Sequence, residues 1–405
     1  MIRPFFASVS FTLMLSAAVL GQPAAGDGTT LRIDSEFPGG NIIVGAIKGN
    51  VVNLRTDLRD TKGSWFYYYF RVDGAQDRTL TFNFTEGTPI GVRGPAVSTD
   101  EGTTWRWLGE QKDTKSFTYA FPAASGPVRF SFGIPYTQQH FDAFIQGIGG
   151  NAALKKDVLC KSRKGRDVER LHLGKLDGDP RFRVLVTSRA HACEMMMSYS
   201  VEGIIQSVLA DDAQGKWFRD HVEMLVVPFV DKDGVEDGDQ GKNRAPRDHN
   251  RDYDANALYP ETRALQDYVP KWSDGKLRVS LDLHCPHIRG VTNEKIYLVG
   301  SEDPAMQVKQ QRFSEILERV SKAPLPYRAA NNIPFGQSWN TAESFKAGTT
   351  GARWAAGVPG NDLAATFELP YANASGAEVN AASARAFGHD LASAIREYLE
   401  STAKP

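Results

Sequence analysis

The chain has 405 residues, of which 41% are hydrophobic and 23% charged, an ordinary globular composition with length enough for two or three domains. Its formal net charge of -1 removes the electrostatic reason to expect nucleic acid or an anionic membrane surface as a partner. Cys160, Cys193 and Cys285 are too few for a disulfide scaffold, and the odd number leaves at least one thiol unpaired or intermolecular.

Arg3 is followed by an apolar run over residues 5–20 and small residues over 21–26, the order of a secretory signal. Residues 1–26 are therefore expected to be a signal peptide, and the mature protein to be exported, periplasmic or secreted. The run is shorter than the roughly 20 apolar residues of a membrane span, and no other stretch is long enough.

From 29 to 148 the pattern has period two. Leu80, Phe82 and Phe84 alternate with polar residues, as do Phe117, Tyr119 and Phe121, then Val128, Phe130 and Phe132. An aromatic and β-branched run covers 65–72, and Gly-, Asp- and Pro-containing breaks separate these segments. Many short strands predict an all-β sandwich over 27–150. Trp105 and Trp107 could form a binding surface on it, but core or interdomain packing is their more usual use.

After Asn151 strands alternate with helices, which predicts an α/β catalytic domain over 151–405, a mixed central sheet flanked by helices. Strands are expected at 182–187, 222–230, 277–283, 296–299 and 364–367, and helices at 195–209, 306–320 and 377–399. Active groups in such a domain collect at strand ends.

His191 and Glu194 stand three residues apart where the first of these strands gives way to a helix, so their side chains can point the same way and grip one cation. A surface His and Glu near a helix start would look the same. His284 directly follows the strand at 277–283, and with the first two it completes a His₂Glu set, which leaves the fourth zinc position open. His287 competes with His284 for the third place. Cys193 and Cys285 each neighbour one of these residues, as buried free thiols rather than a bridge. The stretch 243–253 carries Arg244, Arg247 and Arg251, whose planar guanidinium forks match a carboxylate, although a solvated charge run reads equally well. Glu368 ends the strand at 364–367, where it could take a proton from water.

In this order the pieces resemble the M14 zinc carboxypeptidases: His-x-x-Glu at 191–194, Asn250-Arg251, a strand-terminal His284, and Thr-Phe-Glu-Leu around Glu368. The resemblance extends to the cytosolic carboxypeptidase, deglutamylase-like branch. Its sandwich signatures match Phe37-Pro38-Gly39-Gly40-Asn41, the aromatic run at 65–72 and Pro135-Tyr136-Thr137, and its Arg-x-His-x-x-Glu matches 189–194. The resemblance implies one Zn2+ per chain held by His191, Glu194 and His284, lowering the pKa of a bound water to about 7 and polarising the scissile carbonyl. It implies Glu368 as general base and then acid, and Arg244 as the oxyanion-stabilising arginine, with Arg247 close enough to compete. Asn250 and Arg251 would hold the terminal carboxylate, and Asp248 would orient a zinc-bound histidine.

Pancreatic-type members carry a tyrosine upstream of the base, but here no Tyr lies between Tyr327 and Tyr371. The equivalent stretch resembles the Lys-x-Gly-Thr-Gly-Arg segment of the cytosolic branch and contains Lys346 and Arg353. Cations near the pocket for the terminal side chain favour an acidic residue. The expected function is a zinc metallocarboxypeptidase cleaving a C-terminal peptide or isopeptide bond, with a peptide or peptide-like substrate that bears a free carboxylate. A zinc amidase or deacylase acting on muropeptide, γ-glutamyl or N-acyl-amino-acid bonds would use the same set, and a non-catalytic binding module would need that set to be vestigial.

Overall fold

Residues 30–110 and 113–402 are described by the computed structural model; the expected signal peptide lies outside the described residues. The period-two segments pair into two sheets. One has five strands in the order Arg32–Asp34, Tyr69–Asp73, Val128–Ser131, Ala96–Ser98 and Arg106–Trp107. The other has four, Ile43–Lys48, Val51–Arg55, Thr79–Phe84 and Ser116–Ala120. Phe82 and Phe117 of the second sheet meet Phe130 of the first at 5.2 and 5.3 Å between ring centroids, so the alternating aromatics face one another between the layers. Only the second half of the aromatic run is a strand. The backbone N–H groups of Phe66 and Tyr67 instead donate to Gln240 Oε1 (3.2 and 2.9 Å), which satisfies them outside a ladder and turns the segment toward the rest of the chain.

The remainder builds a seven-stranded mixed sheet, in spatial order Leu154–Lys161, Asp167–Gly174, Val222–Val227, Phe182–Ser188, Leu277–His284, Leu363–Glu368 and Tyr297–Val299. Its four central strands are parallel, and the outer ones add antiparallel edges. The result is the expected mixed α/β domain, a central sheet flanked by helices, preceded by a β-rich N-terminal region. The strand from Val222 stops at Val227, short of the expected 230, because Pro228 has no N–H to extend the ladder. The final helix is Ala381–Thr402 rather than 377–399. Ala377–Glu378 first pairs with Asn373–Ala374, and Asn380 and Ser383 then exchange side-chain to backbone hydrogen bonds (3.0 and 2.9 Å) that cap the helix. The strand Leu154–Lys161 was not expected: it is a lysine-bearing edge strand whose exposed residues mask its periodicity.

One buried apolar cluster runs through both regions. Phe132 packs on Tyr371 at 5.1 Å, and the Trp107 indole donates to Val379 O at 2.8 Å, so Trp107 serves packing between the two regions. The helix Gln138–Gly147 precedes the expected boundary at 150, yet Phe141 packs on Phe229 of the α/β region at 5.6 Å. All three thiols are free, with Cys193 and Cys285 buried. Among the described residues no helix is long and apolar enough to cross a membrane.

The helices Met196–Leu209 and Ala381–Thr402 cross where both carry glycine. A Cβ at Gly203 would lie 2.0 Å from Arg385 O, and one at Gly388 2.0 Å from Ser200 O. Overpacking of this kind costs about 1–3 kcal/mol. Gly203→Ala should therefore lower the urea midpoint of unfolding, whereas alanine at the exposed, uncrowded Gly126 should leave it unchanged.

Candidate metal centre and its cavity

Three adjacent parallel strands bring the chemistry to one edge. Thr187 pairs with Asp282 and His284 with Glu368, so Phe182–Ser188, Leu277–His284 and Leu363–Glu368 all end at the same level. Tyr297 lies opposite Glu368 on the antiparallel side. The chain leaves the first of these strands through Arg189, whose φ of 59° is left-handed, a conformation that costs a non-glycine residue energy. Its fully buried guanidinium holds that turn by donating to Ala192 O (2.9 Å), Tyr136 O (2.9 Å) and Ser198 Oγ (3.0 Å). His191 and Glu194 are thereby turned back over the strand ends.

His191, Glu194 and His284 form a group that could hold a metal ion. His191 Nδ1 lies 2.9 Å from Glu194 Oε1, His284 Nδ1 lies 2.8 Å from Glu194 Oε2, and the two Nδ1 atoms are 3.2 Å apart. Tetrahedral zinc ligands at about 2.0–2.1 Å from the ion stand about 3.3 Å from one another, so the donor set fits zinc in type and spacing. Each histidine has a carboxylate behind it: Asp248 Oδ1 is 3.6 Å from His191 Nε2, and Asp282 Oδ2 is 3.0 Å from His284 Nε2. Such partners fix the ring and its tautomer with the opposite nitrogen left as ligand. Burial pushes Asp248 up, but His191 beside it and the nearby Arg251 bring its pKa down to about 2. Asp282 was missed in the sequence reading, although residues two apart on a strand share a face and Asp282-Leu283-His284 shows that spacing.

The group opens into a cavity of about 470 Å³ lined by His191, His284, Glu368, Asn250, Arg251 and Arg353, among others. Glu368 is buried, and its Oε2 has no hydrogen-bond partner. Burial pushes its carboxyl up to about 7, against the downward pull of Lys242 and His284. Asn250 Oδ1 accepts from Gly351 N (2.9 Å), and Arg251 donates to Ser344 O (3.1 Å) and Asn250 O (2.9 Å). Arg251 and Arg353 flank the Phe345 ring at 5.6 and 4.9 Å. Arg353 also pairs with Glu302, which lines the same cavity. His287 stands at the rim near Trp65 and Phe66, outside the donor group.

Two expected residues are not brought to this cavity. Lys346 is exposed and paired with Glu343. Arg244 is buried among Asp231 (3.0 Å), Asp239 (2.6 Å) and Asp60 (3.0 Å), and does not line the cavity. Its competitor Arg247 is engaged by Asp252 (2.7 Å) and Asp254 (2.5 Å). Lys242, not among the expected residues, places its Nζ 2.7 Å from Glu194 Oε1 and donates to Cys285 O at 2.6 Å. Nothing in its immediate sequence context marks it, because a loop without periodicity delivers it.

A family model described as zinc carboxypeptidase, the M14 peptidases, matches residues 151–383. Mouse cytosolic carboxypeptidase 3 is 27% identical over 269 residues, covering 58% of this chain and 27% of that protein. Mouse cytosolic carboxypeptidase 2 is 25% identical over 266 residues, covering 56% and 30%. This chain thus spans less than a third of the length of either. Among solved structures, a metallo-carboxypeptidase from Burkholderia cenocepacia superposes with a TM-score of 0.76 at 21% identity, over 92% of this chain and 100% of that one. One from Pseudomonas aeruginosa, in complex with (2-guanidinoethylmercapto)succinic acid, gives 0.74 at 20% identity over 91% and 99%. At these identities the superpositions show the fold.

Loss of the carboxylate behind a ligating histidine commonly costs 10–100-fold in metal affinity. Asp282→Asn should weaken zinc binding by about that factor, measured by chelator competition, while the far-ultraviolet circular dichroism stays that of the wild type.

Proposed function

Since the chain belongs to the M14 family of zinc carboxypeptidases, which are hydrolases, we propose that it removes C-terminal residues from peptides or peptide-like chains bearing a free carboxylate. The observation that carries this is that the His191, Glu194 and His284 group opens into the cavity that also holds the buried Glu368 carboxylate, one oxygen of which has no hydrogen-bond partner, and the Asn250-Arg251 pair. Zinc, when bound there, supplies Lewis acidity that polarises the scissile carbonyl and acidifies water.

The chain's own residues do the rest. Asn250 and Arg251 hold the terminal carboxylate, a bidentate partner for guanidinium. That anchor sets the scissile carbonyl beside the donor group. Glu368 accepts a proton from the attacking water and returns it to the leaving amine nitrogen, and its burial makes it a stronger base than an exposed carboxylate. Asp248 and Asp282 keep the two imidazoles oriented. Arg353 receives an acidic terminal side chain, in competition with its present partner Glu302. We assign residues 27–150 to a sandwich domain and 151–405 to the catalytic domain. The sequence of residues 1–26 supports export, which favours extracellular peptides or muropeptides as substrates.

Glu368→Gln should lower kcat by about 10²–10⁴-fold with zinc content unchanged, the range expected for loss of a general base. Glu368 acts deprotonated, so kcat/KM should fall as pH falls through its pKa. A bound cation stabilises the carboxylate, which places the acidic limb at or below pH 7; a kcat/KM that does not fall between pH 8 and pH 4, with zinc content unchanged, would contradict the assignment.

On matched peptides ending in Glu, Phe or Lys, release of Glu should be fastest, and Glu302→Gln should widen its lead by freeing Arg353. Faster release of Phe or Lys by the wild type would rule out the acidic preference.

A further inference from the structure

Attack on a carbonyl puts negative charge on its oxygen, which a preorganised donor stabilises, and the arginine expected to do so is engaged by Asp60, Asp231 and Asp239 outside the cavity lining. Besides the histidines, the cavity-lining cations are Lys242, Arg251 and Arg353. Two of them gather around Phe345, on the side where the terminal carboxylate and side chain are read to bind. Lys242 alone reaches the donor group, 2.7 Å from Glu194 Oε1.

Its position is built rather than incidental. Gly241, with φ of 78°, lies against the metal loop so closely that a Cβ would sit 2.4 Å from Ala192 N. Gln240 on its other side accepts from Phe66 and Tyr67 and gives its backbone carbonyl to Cys193 N at 3.2 Å. The segment 240–242 is thus pinned to the loop that carries His191 and Glu194, and the ammonium is further held by Cys285 O at 2.6 Å. An ammonium has three donors. Two are used by Glu194 and Cys285, which leaves one for a substrate oxygen.

We propose that Lys242, not Arg244, is the catalytic residue that stabilises the oxyanion. The inference rests on the carboxypeptidase reading above. In the step, the water oxygen forms a bond to the carbonyl carbon, its proton passes to Glu368, and the carbonyl π pair moves onto oxygen. Lys242 donates to that oxygen as its charge develops. On collapse the pair returns to re-form C=O, the C–N bond breaks, and the proton on Glu368 goes to the departing amine. Placed so, a preorganised donor contributes about 10²–10³-fold in kcat.

Zinc-loaded Lys242→Met tests this through kcat, KM and affinity for a phosphonate peptide analogue with a tetrahedral anionic centre. kcat and phosphonate affinity should each fall by about 10²–10³-fold, with KM within a few-fold of wild type. Lys242→Arg, which keeps a cation, should recover a large part of both. Chelator competition separates this from a structural role: removing the ammonium beside Glu194 should leave zinc binding as tight as before or tighter. Zinc loss in Lys242→Met, or phosphonate affinity within threefold of wild type in a variant that binds zinc, would overturn the inference. If Lys242→Met does not fold, unchanged phosphonate affinity in Lys242→Ala would overturn it equally. A zinc-loaded wild type that releases no C-terminal residue would overturn the carboxypeptidase reading and this inference together, whereas an active wild type with an unaffected Lys242→Met would overturn this inference alone.

Discussion

The register between parallel strands is the constraint on which the rest of the molecule depends. His284 is the residue paired with Glu368, and Thr187 the one paired with Asp282. A slip of one residue would turn His284 and Asp282 to the opposite face of the sheet together. Both faces of this sheet are covered, so apolar burial alone would penalise such a slip weakly. The polar contacts supply what burial does not: Thr187 Oγ1 donates to Asp282 Oδ1 at 2.8 Å, and Asp282 in turn faces His284. The same carboxylate therefore locks the strands and aims the imidazole, so fold specificity and site geometry share one group.

Buried charge around the strand ends explains why so many side chains are needed to present so few. Glu194, Asp248, Asp282 and Glu368 are all removed from water, and an isolated buried carboxylate is costly. Three of them have an imidazole or ammonium within 3.6 Å. For Glu368 burial outweighs the pull of the more distant Lys242 and His284, and its pKa stays raised. The pattern separates roles by environment: the carboxylates set close against an imidazole or ammonium hold position, and Glu368, where burial dominates, retains proton affinity.

What could be read from the sequence follows from the range of the interactions. His191 and Glu194 are close in sequence and share one turn, and His284 and Glu368 end strands whose apolar runs are plain, so local pattern located all four. Asp282 is equally local, two residues before His284 on one strand, but an acidic residue inside an apolar strand has no signature of its own until its imidazole partner is placed. Lys242 and Gln240 were not legible. They lie in an irregular segment whose position depends on Phe66, Tyr67 and Cys193, far away in the chain. Arg244 is the converse case. Resemblance implied that it stabilises the oxyanion, but it lies among Asp60, Asp231 and Asp239, brought together from segments whose convergence no periodicity announces, and does not line the cavity.

Those partners also give the β-rich region a function in the site. Asp60 belongs to it, Asp231 follows the strand Val222–Val227, and Arg244 ties both together at the start of the segment that carries Asp248, Asn250 and Arg251. Arg59 adds a second crossing by donating to Asp237 O at 2.5 Å and pairing with Asp239, and Asn41 donates to Gly238 O at 2.7 Å. An irregular segment of this kind has only isolated bridges, such as that of Arg244 to Thr61 with Ala245 N donating to Asp60 O at 2.9 Å, and side chains supply the rest. Breaking one member of a buried ion network leaves the others unpaired and is strongly destabilising. The N-terminal sheets are therefore coupled to the cavity through the charges that hold its substrate-facing loop, and Trp65 at the rim extends that coupling to the cavity wall itself.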